Sequence, residues 1–345
     1  FEDFDEDKMA TLADEWAENA QEALWSNFWD EDRQYLRREW PAQEEDRGLD
    51  YWWFAHAIDV LCDGYERTGD VKYLERAALV ADGVYTRNGN SFINNFFDDM
   101  NWMALALMHY YDLTGEDFYL EQSQILFDEI TSAWSGIAGG GIAWNRESLN
   151  FKNTPSNAPA VIIAVRLFER TNDSKYSDWA HKIFAYVQEN LREADTGFII
   201  DGIRSLKEDQ ILRYAYTYNH GTYIGAACEM YRLTGDETYL DYAGQTLANA
   251  FDQYTNSRAV IIEEGDGDGG SFKGILMRYV TQYYFTLPEP AEEVRQWICQ
   301  NATFAEKRAV NDHGIIADRW MGPSKREQHL SSHLSGVKLM EACWR

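Results

Sequence analysis

The stretch YERTGDVKYL at residues 65–74 decides the fold of this chain, because close copies of it recur along the sequence. The copies are YDLTGEDFYL at 111–120 and YRLTGDETYL at 231–240, and a weaker copy at 168–176 has asparagine in place of the glycine. In each copy an apolar helical pattern ends at Thr-Gly or Thr-Asn, and an acidic residue follows near the start of the next pattern. The repeat therefore predicts short turns that join consecutive helices.

Apolar residues at steps of three and four extend on both sides of these turns and predict helices throughout the chain. The twelve predicted helices span 9–25, 50–67, 71–86, 98–113, 117–133, 157–170, 175–192, 219–233, 236–253, 271–286, 291–308 and 328–343. Short connections follow the even-numbered helices, and long connections precede them. The long connections lie near 26–49, 87–97, 134–156, 193–218, 255–270 and 309–327.

This alternation predicts a single all-α domain over residues 1–345, built as an (α/α)₆ toroid of six helical hairpins. The even-numbered helices are expected to form the inner ring, with their N-termini at the face that carries the long loops. Functional residues commonly lie on loops that a rigid scaffold holds. We therefore expect the functional site at that face.

Composition narrows the class of partner. The 345 residues carry a formal net charge of −27, which disfavours nucleic acids and anionic membranes as partners. No apolar run is long enough to predict a membrane span. A neutral carbohydrate fits better, since 13 Trp and 21 Tyr offer faces on which sugar rings can stack. No signal peptide is recognisable, and the compartment is left open.

The sequence predicts no cofactor and no metal site. The four cysteines form no C-x-x-C pair, and Cys62, Cys228 and Cys343 lie in apolar helical patterns typical of small buried side chains. The loop 265–270 (GDGDGG) carries carboxylates that would repel a phosphate. Counted from Asp266, it also lacks the glutamate that closes a calcium-binding loop.

Asp98 and Asp99 are the candidate catalytic residues, because they lie where a long loop enters an inner helix. Hydrolysis of a glycosidic bond needs two carboxyl groups in different protonation states. Two neighbouring acids meet this need, since repulsion separates their pKa values, and a helix N-terminus favours one anion. A capping role for the pair is the structural alternative.

Polar, aromatic and glycine residues gather at the starts of other inner helices, in 139–144, 216–221 and 269–279. Their amides and rings are suited to bind sugar hydroxyls and sugar faces. Lys273 and Arg278 have an alternative role, which is to pair with the acidic loop Glu263-Glu264. The candidate substrate-binding residues are Trp52, Trp53, Asn95, Trp102, Trp144, Asn157, Tyr218, Asn219, His220, Phe272, Lys273 and Arg278.

Taken in order, these motifs resemble glycoside hydrolase family 76, the endo-α-1,6-mannanases. The resembling blocks are Asp98-Asp99 with Trp102, Gly140-Gly141-Ile142 with Trp144, Lys152-Asn153 with Ser156-Asn157, Asn219-His220-Gly221, and Phe272-Lys273-Gly274-Ile275 with Arg278. The resemblance implies an (α/α)₆ fold and hydrolysis of α-1,6-linked mannan or a related α-mannoside with retention. It implies Asp98 as nucleophile and Asp99 as general acid/base.

Two departures from the family pattern bear on subsite preference. His220 stands where the family more often has glutamine, and Phe96-Phe97 replaces a more usual tyrosine-rich segment. Other toroid proteins remain as alternatives. A sugar 2-epimerase would need facing histidines, for which His313, His329 and His333 are candidates. An unsaturated glucuronyl hydrolase would need basic subsites, and a non-catalytic carbohydrate-binding toroid would need no acid pair.

Overall fold

The computed structural model describes residues 5–43, 49–323 and 326–345. Residues 44–48 of the predicted loop 26–49, and residues 324–325 of the predicted loop 309–327, lie outside this described part. Within it the chain forms twelve α-helices, each matching one predicted helix. They are α1 Glu6–Phe28, α2 Tyr51–Thr68, α3 Val71–Arg87, α4 Phe97–Thr114, α5 Asp117–Ser132, α6 Thr154–Thr171, α7 Ser174–Tyr186, α8 Thr217–Thr234, α9 Thr238–Tyr254, α10 Phe272–Thr286, α11 Glu292–Arg308 and α12 Leu330–Trp344.

The repeated turns have the predicted chemistry. Gly69, Gly115 and Gly235 end their helices in the left-handed conformation with φ of 68°, 69° and 74°, and Asn172 does so with φ of 56°. Asp70 then caps the next helix, since its carboxylate accepts a hydrogen bond from the Lys72 backbone N–H at 3.0 Å. Asp173 and Asp236 cap their helices in the same way, whereas Glu116 makes no side-chain cap. The four copies therefore share the left-handed helix end, and three of them share the cap.

Burial separates the even-numbered helices from the odd-numbered ones. α6 is buried along almost its whole length, including its polar first turn. α7, the next helix, buries only one stripe, which includes Tyr176, Ala180 and Ile183. A helix buried on all sides lies inside a core, whereas a helix with one apolar stripe covers that core.

Short strands accompany the loops that precede the inner helices. They are β1 Trp29–Asp30, β2 Tyr35–Leu36, β3 Glu39–Trp40, β4 Phe151–Asn153, β5 Gly202–Ser205, β6 Asp209–Leu212 and β7 Gln328–His329. The antiparallel sheet β4-β5-β6 pairs Asn153 with Gly202, so the segment before β5 lies beside the start of α6. A π-helical turn over Val187–Leu191 extends α7.

The chain forms two compact units. The first contains the residues up to Ser91, Tyr254–Tyr284 and Pro290–Arg345, and the second contains Phe92–Gln253 and Phe285–Glu289. In the first unit α1 packs on α12, so the first and last helices form a pair, and α2 packs on α3 and α12. In the second unit α4 packs on α5 and α6, and α6 packs on α7 and α8. The single-domain assignment stays a prediction.

One cysteine has a partner that the sequence analysis did not predict. Cys343 is buried, as predicted, and forms a disulfide with Cys299, with Cα atoms 4.9 Å apart. The sequence spacing hides this pair because the two residues lie on α11 and α12, which pack together. Cys62 and Cys228 are buried, as predicted, and both are free thiols. In the described part of the chain, no helix is both long enough and apolar enough to cross a membrane.

Candidate active site

The first turn of α4 presents Asp98 and Asp99 beside the loop that joins α5 to α6. Phe96 has extended backbone, and the helix begins at the next residue. The Phe97 backbone N–H donates to the Trp144 carbonyl at 2.9 Å. The loop therefore runs against the start of the helix, and it brings the Trp144 side chain to the acid pair.

Glycines and a buried lysine shape this loop. Gly140 and Gly141 have φ of 133° and 84°, and a Cβ on Gly141 would lie 2.4 Å from the Tyr186 ring. The Lys152 ammonium is fully buried and donates to the carbonyl oxygens of both glycines at 2.8 and 2.6 Å. Only glycine fits this conformation at this distance. The Gly-Gly-Ile motif therefore supports the position of Trp144.

Asp98 is buried, with 9% of its surface exposed, and each of its carboxylate oxygens accepts a hydrogen bond. The Asp99 backbone N–H donates to Oδ1 at 2.9 Å, and the Trp144 indole N–H donates to Oδ2 at 3.1 Å. Burial raises the pKa of Asp98 to about 7, the two donors oppose the rise, and the charge of Asp201 adds to it. Asp98 therefore changes charge near neutral pH.

Asp99 follows directly, and its side chain is partly exposed. The two neighbouring carboxyl groups therefore have different surroundings, one enclosed by donors and the other accessible to solvent. Different surroundings are what an acid/base and nucleophile pair requires.

Asp201 is a third carboxyl group of this site, and the sequence analysis missed it. It is buried, and the Asn219 side-chain amide donates to its Oδ1 at 3.0 Å. Burial raises the pKa of Asp201 to about 6, while Asn219 and the charge of Arg204 oppose the rise. The only sequence signal is the apolar run Phe198–Ile200 before Asp201, which is typical of a strand end.

Several predicted residues meet around these carboxyl groups. Trp144 contacts Asp98 directly, and Asn219 acts through Asp201. The Tyr218 ring stacks on Trp102 with ring centroids 6.2 Å apart. Asn95 is exposed just before α4. Direct contact of Asn95, Trp144 and Tyr218 with a substrate stays a prediction.

The side chains of Asn157 and His220 make structural contacts, and their binding to a substrate stays a prediction. Both are fully buried. The Asn157 amide accepts from the Ile142 N–H at 2.7 Å and donates to the Ile142 and Asn153 carbonyls. His220 Nε2 lies 2.9 Å from Asn249 Oδ1, and burial lowers the pKa of His220 to about 4.

Two tryptophans of the predicted set are buried. Trp102 is 3% exposed and Trp53 is fully buried, and their contact with a substrate stays a prediction. The indole N–H of Trp53 donates to Asp268 at 2.9 Å, and the Arg38 guanidinium lies 4.7 Å from the Trp53 ring centroid. Trp52 donates to the same carboxylate oxygen at 2.9 Å, which gives the acidic loop 265–270 a structural function.

Lys273 and Arg278 form close ion pairs with aspartates. Burial lowers the pKa of Lys273, and the charges of Asp318 and of the predicted partners Glu264 and Glu263 oppose that change. The buried Lys273 ammonium lies 3.2 Å from the Asp318 carboxylate and 4.4 Å from the Trp320 ring centroid. The Arg278 guanidinium pairs with Asp59 at 2.8 Å and also with Asp63 on α2. Both residues therefore have a structural role, and their binding to a substrate stays a prediction. Trp52 and Phe272 are partly exposed, with rings 6.2 Å apart, and stay predictions.

A model of glycosyl hydrolase family 76 matches residues 13–343 of this chain. The chain belongs to this family. It is 37% identical to an α-1,6-mannanase from Salegentibacter sp. HEL1_6, with a TM-score of 0.91, and the match covers 96% of this chain and 98% of that one. An inactive variant of the same mannanase, with two consecutive aspartates changed to asparagine, was solved with α-1,6-mannotriose. It is 36% identical with a TM-score of 0.92, covering 96% and 99% of the two chains.

A mannan endo-1,6-alpha-mannosidase of Candida glabrata is 24% identical over 285 residues, which are 75% of this chain and 60% of that protein. The chain spans about three fifths of the length of the curated relatives it matches.

Membership in family 76 confirms the resemblance and the predicted (α/α)₆ toroid. This membership argues against the two alternatives from other toroid families, the 2-epimerase and the unsaturated glucuronyl hydrolase. The contacts of His333 also argue against a 2-epimerase, because its ring is fully buried and both ring nitrogens contact backbone groups. Its Nδ1 accepts from the Ile316 N–H at 3.0 Å, and its Nε2 lies 2.9 Å from the Ala20 carbonyl.

Proposed function

We propose that this family 76 chain is a retaining glycoside hydrolase that cleaves α-1,6-linked mannan or a related α-mannoside. The observation that carries the proposal is the Asp98 carboxylate, held by two N–H donors at the start of α4 with the accessible Asp99 beside it. These two residues form the only Asp-Asp pair in the sequence. The related mannanase that is inactive lacks two consecutive aspartates, which supports the same pair here.

In the proposed reaction Asp98 is the nucleophile. Its carboxylate attacks the anomeric carbon while Asp99 gives its proton to the departing glycosidic oxygen, so the C–O bond breaks and a glycosyl-enzyme ester forms. Asp99, now ionised, takes a proton from water, and the water oxygen attacks the anomeric carbon. The ester bond breaks and both carboxyl groups return to their first state, with the configuration retained.

The donors around Asp98 support this order of roles. Both of its oxygens receive N–H groups, and the helix N-terminus adds positive potential, so the geometry stabilises an anion. One observation favours the reverse order, with Asp98 as the acid: burial raises the pKa of Asp98 to about 7, where a general acid works well. The experiment below separates the two orders.

The substrate class rests on charge and on relatives. A net charge of −27 disfavours anionic polysaccharides, and mannan is neutral. The similar mannanase was solved with an α-1,6-linked mannose trimer. We extend that linkage to this chain as part of the proposal.

The test compares Asp98→Asn and Asp99→Asn on α-1,6-mannan and on an aryl α-1,6-mannobioside. A matched control is Asp173→Asn, which changes an N-cap whose carboxylate accepts from the Lys175 N–H at 3.0 Å. Both site variants should lose about 10²–10⁴-fold or more of mannan hydrolysis, since they lose the covalent route or the proton transfer. The control should keep wild-type turnover.

The aryl substrate has a good leaving group and needs no acid in the first step. In Asp99→Asn the glycosyl-enzyme should then accumulate, because no base activates water. Added azide should attack this glycosyl-enzyme and release the α-mannosyl azide. An α-azide from Asp98→Asn instead would show the reverse order of roles. Wild-type mannan hydrolysis in both variants would end the catalytic assignment and leave the pair as helix caps.

A further inference from the structure

A row of aromatic rings runs from the surface of the second unit to the start of α4. We define this aromatic ladder as Tyr214, Tyr216, Tyr218 and Trp102. The ring centroids of Tyr214 and Tyr216 are 5.8 Å apart with planes at 27°. Those of Tyr216 and Tyr218 are 6.1 Å apart, and Tyr218 stacks on Trp102 at 6.2 Å.

The outer end of the ladder is exposed and its inner end is buried. Tyr214 is 54% exposed, Tyr216 and Tyr218 are partly exposed, and Trp102 is 3% exposed. The exposed ring of Tyr214 can therefore receive a ligand, while Trp102 supports the inner end. Leu206 and Ile211 on the β5-β6 hairpin are 59% and 65% exposed and lie close to Tyr214 in sequence.

The backbone that carries the ladder is held at both ends. At one end the Leu212 carbonyl accepts from the Asp201 N–H at 2.9 Å. Arg213 makes a two-pronged pair with Glu193 at 2.7 and 2.9 Å. At the other end Tyr216 is extended and leads into α8. The stacked rings of Tyr214 and Tyr216 are therefore aligned before any ligand binds.

The inner end of the ladder reaches the carboxyl groups by two routes. Trp102 lies one helical turn after Asp98 on α4, so the two share a helix face. Tyr218 is followed by Asn219, whose amide holds Asp201, and the charge of Asp201 acts on Asp98. The ladder is therefore continuous with the candidate active site.

We propose that the aromatic ladder is an extended subsite that binds further mannose rings of a mannan chain beyond the rings at Asp98 and Asp99. The inference rests on the proposed function. The apolar C–H faces of neutral sugars pack on aromatic faces, and tyrosine hydroxyls can bond sugar hydroxyls. Exposed tyrosine rings aligned with the catalytic pair suit a neutral polymer, and the net charge of −27 disfavours an anionic one.

The experiment measures binding of α-1,6-linked mannose oligomers, from dimer to hexamer, by calorimetry. The parent protein carries Asp98→Asn and Asp99→Asn, so that the oligomers stay intact. Tyr214→Ala in this parent removes the outermost ring, and Tyr214→Phe keeps the ring without its hydroxyl. Phe118→Ala is the matched control, since Phe118 is a 40% exposed aromatic on α5 outside the ladder.

In the parent, affinity should rise with oligomer length. Tyr214→Ala should weaken hexamer binding about 2- to 12-fold and dimer binding by less, because one aromatic contact is lost. Tyr214→Phe should retain most of the increase in affinity with oligomer length, and Phe118→Ala should retain all of that increase. Far-UV circular dichroism and the melting temperature should match the parent in every variant.

Equal affinity gains with length in Tyr214→Ala and in the parent would overturn the subsite. A concentration-dependent dimer that disappears in Tyr214→Ala, with glycan binding unchanged, would assign the surface to a second copy of the chain and also overturn it. The proposed function fails separately, if protein with intact Asp98 and Asp99 leaves α-1,6-mannan uncleaved. Cleavage with identical polymer kinetics in Tyr214→Ala and wild type would overturn the subsite alone.

Discussion

Replacing Trp144 with phenylalanine should raise the pKa of Asp98 and move the acidic limb of the activity profile to higher pH. The change removes the indole N–H that donates to Asp98 Oδ2 at 3.1 Å. It keeps an aromatic ring between Phe96 and Phe151, whose centroids lie 5.5 and 5.7 Å from that of Trp144. The packing of the loop should therefore persist while the donor is lost.

The magnitude follows from the strength of a hydrogen bond to a charged group. Such a bond contributes about 1.5–3 kcal/mol, which is roughly one to two pKa units. Asp98 is buried, so solvent screening does not reduce this figure much. Its pKa should rise from about 7 towards about 8–9. Because the proposed nucleophile works as an anion, kcat/KM at pH 7 should fall about 5- to 50-fold and recover at higher pH.

Asp201→Asn should have the opposite sign. It removes a negative charge that raises the pKa of Asp98, while the new amide oxygen can still accept from Asn219. The pKa of Asp98 should therefore fall, and the acidic limb should move below pH 7. A pair of shifts in opposite directions is hard to produce by general damage to the fold.

The assay is kcat/KM against pH on an aryl α-1,6-mannobioside, which reports the pKa values of the free enzyme. Trp134→Phe is the matched control, because Trp134 lies in the same loop region and packs on Tyr186 with ring centroids 5.9 Å apart. Unmoved limbs in both site variants, or shifts in the same direction, would refute the reasoning. Opposite shifts of the basic limb instead would show that Asp98 acts as the acid.

Two further predictions concern stability. Since the folded-state pKa of Asp98 lies above its ordinary value of 3.8, its ionisation costs stability as pH rises from about 4 to about 7. Asp98→Asn should therefore raise the free energy of unfolding at pH 8 by up to about 4 kcal/mol, from about three pKa units, with the gain absent near pH 3 in urea titrations. Reduction of Cys299–Cys343, which are 44 residues apart, should lower that free energy by about 4 kcal/mol. Four titratable thiols in unreduced, unfolded protein would contradict the disulfide.

The helices could be predicted because residues close in sequence determine where each helix begins and ends. A glycine such as Gly69 or Gly115 adopts the left-handed conformation wherever a helix must stop, and an aspartate such as Asp70 caps wherever the next one begins. These preferences act within a few residues. The repeat in the sequence therefore reports the repeat in the structure, whatever the distant contacts are.

The residues of the candidate site could be predicted only where a local sequence pattern indicates them. Asp98 and Asp99 are recognisable because they lie at the start of a predicted helix. Asp201 reaches the same site only because β5 pairs with β4, which precedes α6, and no local pattern reports that pairing. The full burial of Asn157 and His220 was not predicted, for a related reason. The inner helices are buried on all sides, so their sequences have no polar stripe that tells a site-facing residue from a packed one.

The loop that carries Trp144 combines a local sequence motif with contacts between distant residues. A carboxylate as enclosed as Asp98 would lose its charge without donors, because burial raises its pKa and a bound sugar would displace still more water. The Trp144 donor reaches Asp98 only if the loop turns back sharply, which requires glycine at Gly141 beside Tyr186. The buried Lys152 holds that turn through the glycine carbonyls. The glycine motif and Lys152 thus fix the position of Trp144, and Trp144 in turn favours the ionised form of Asp98.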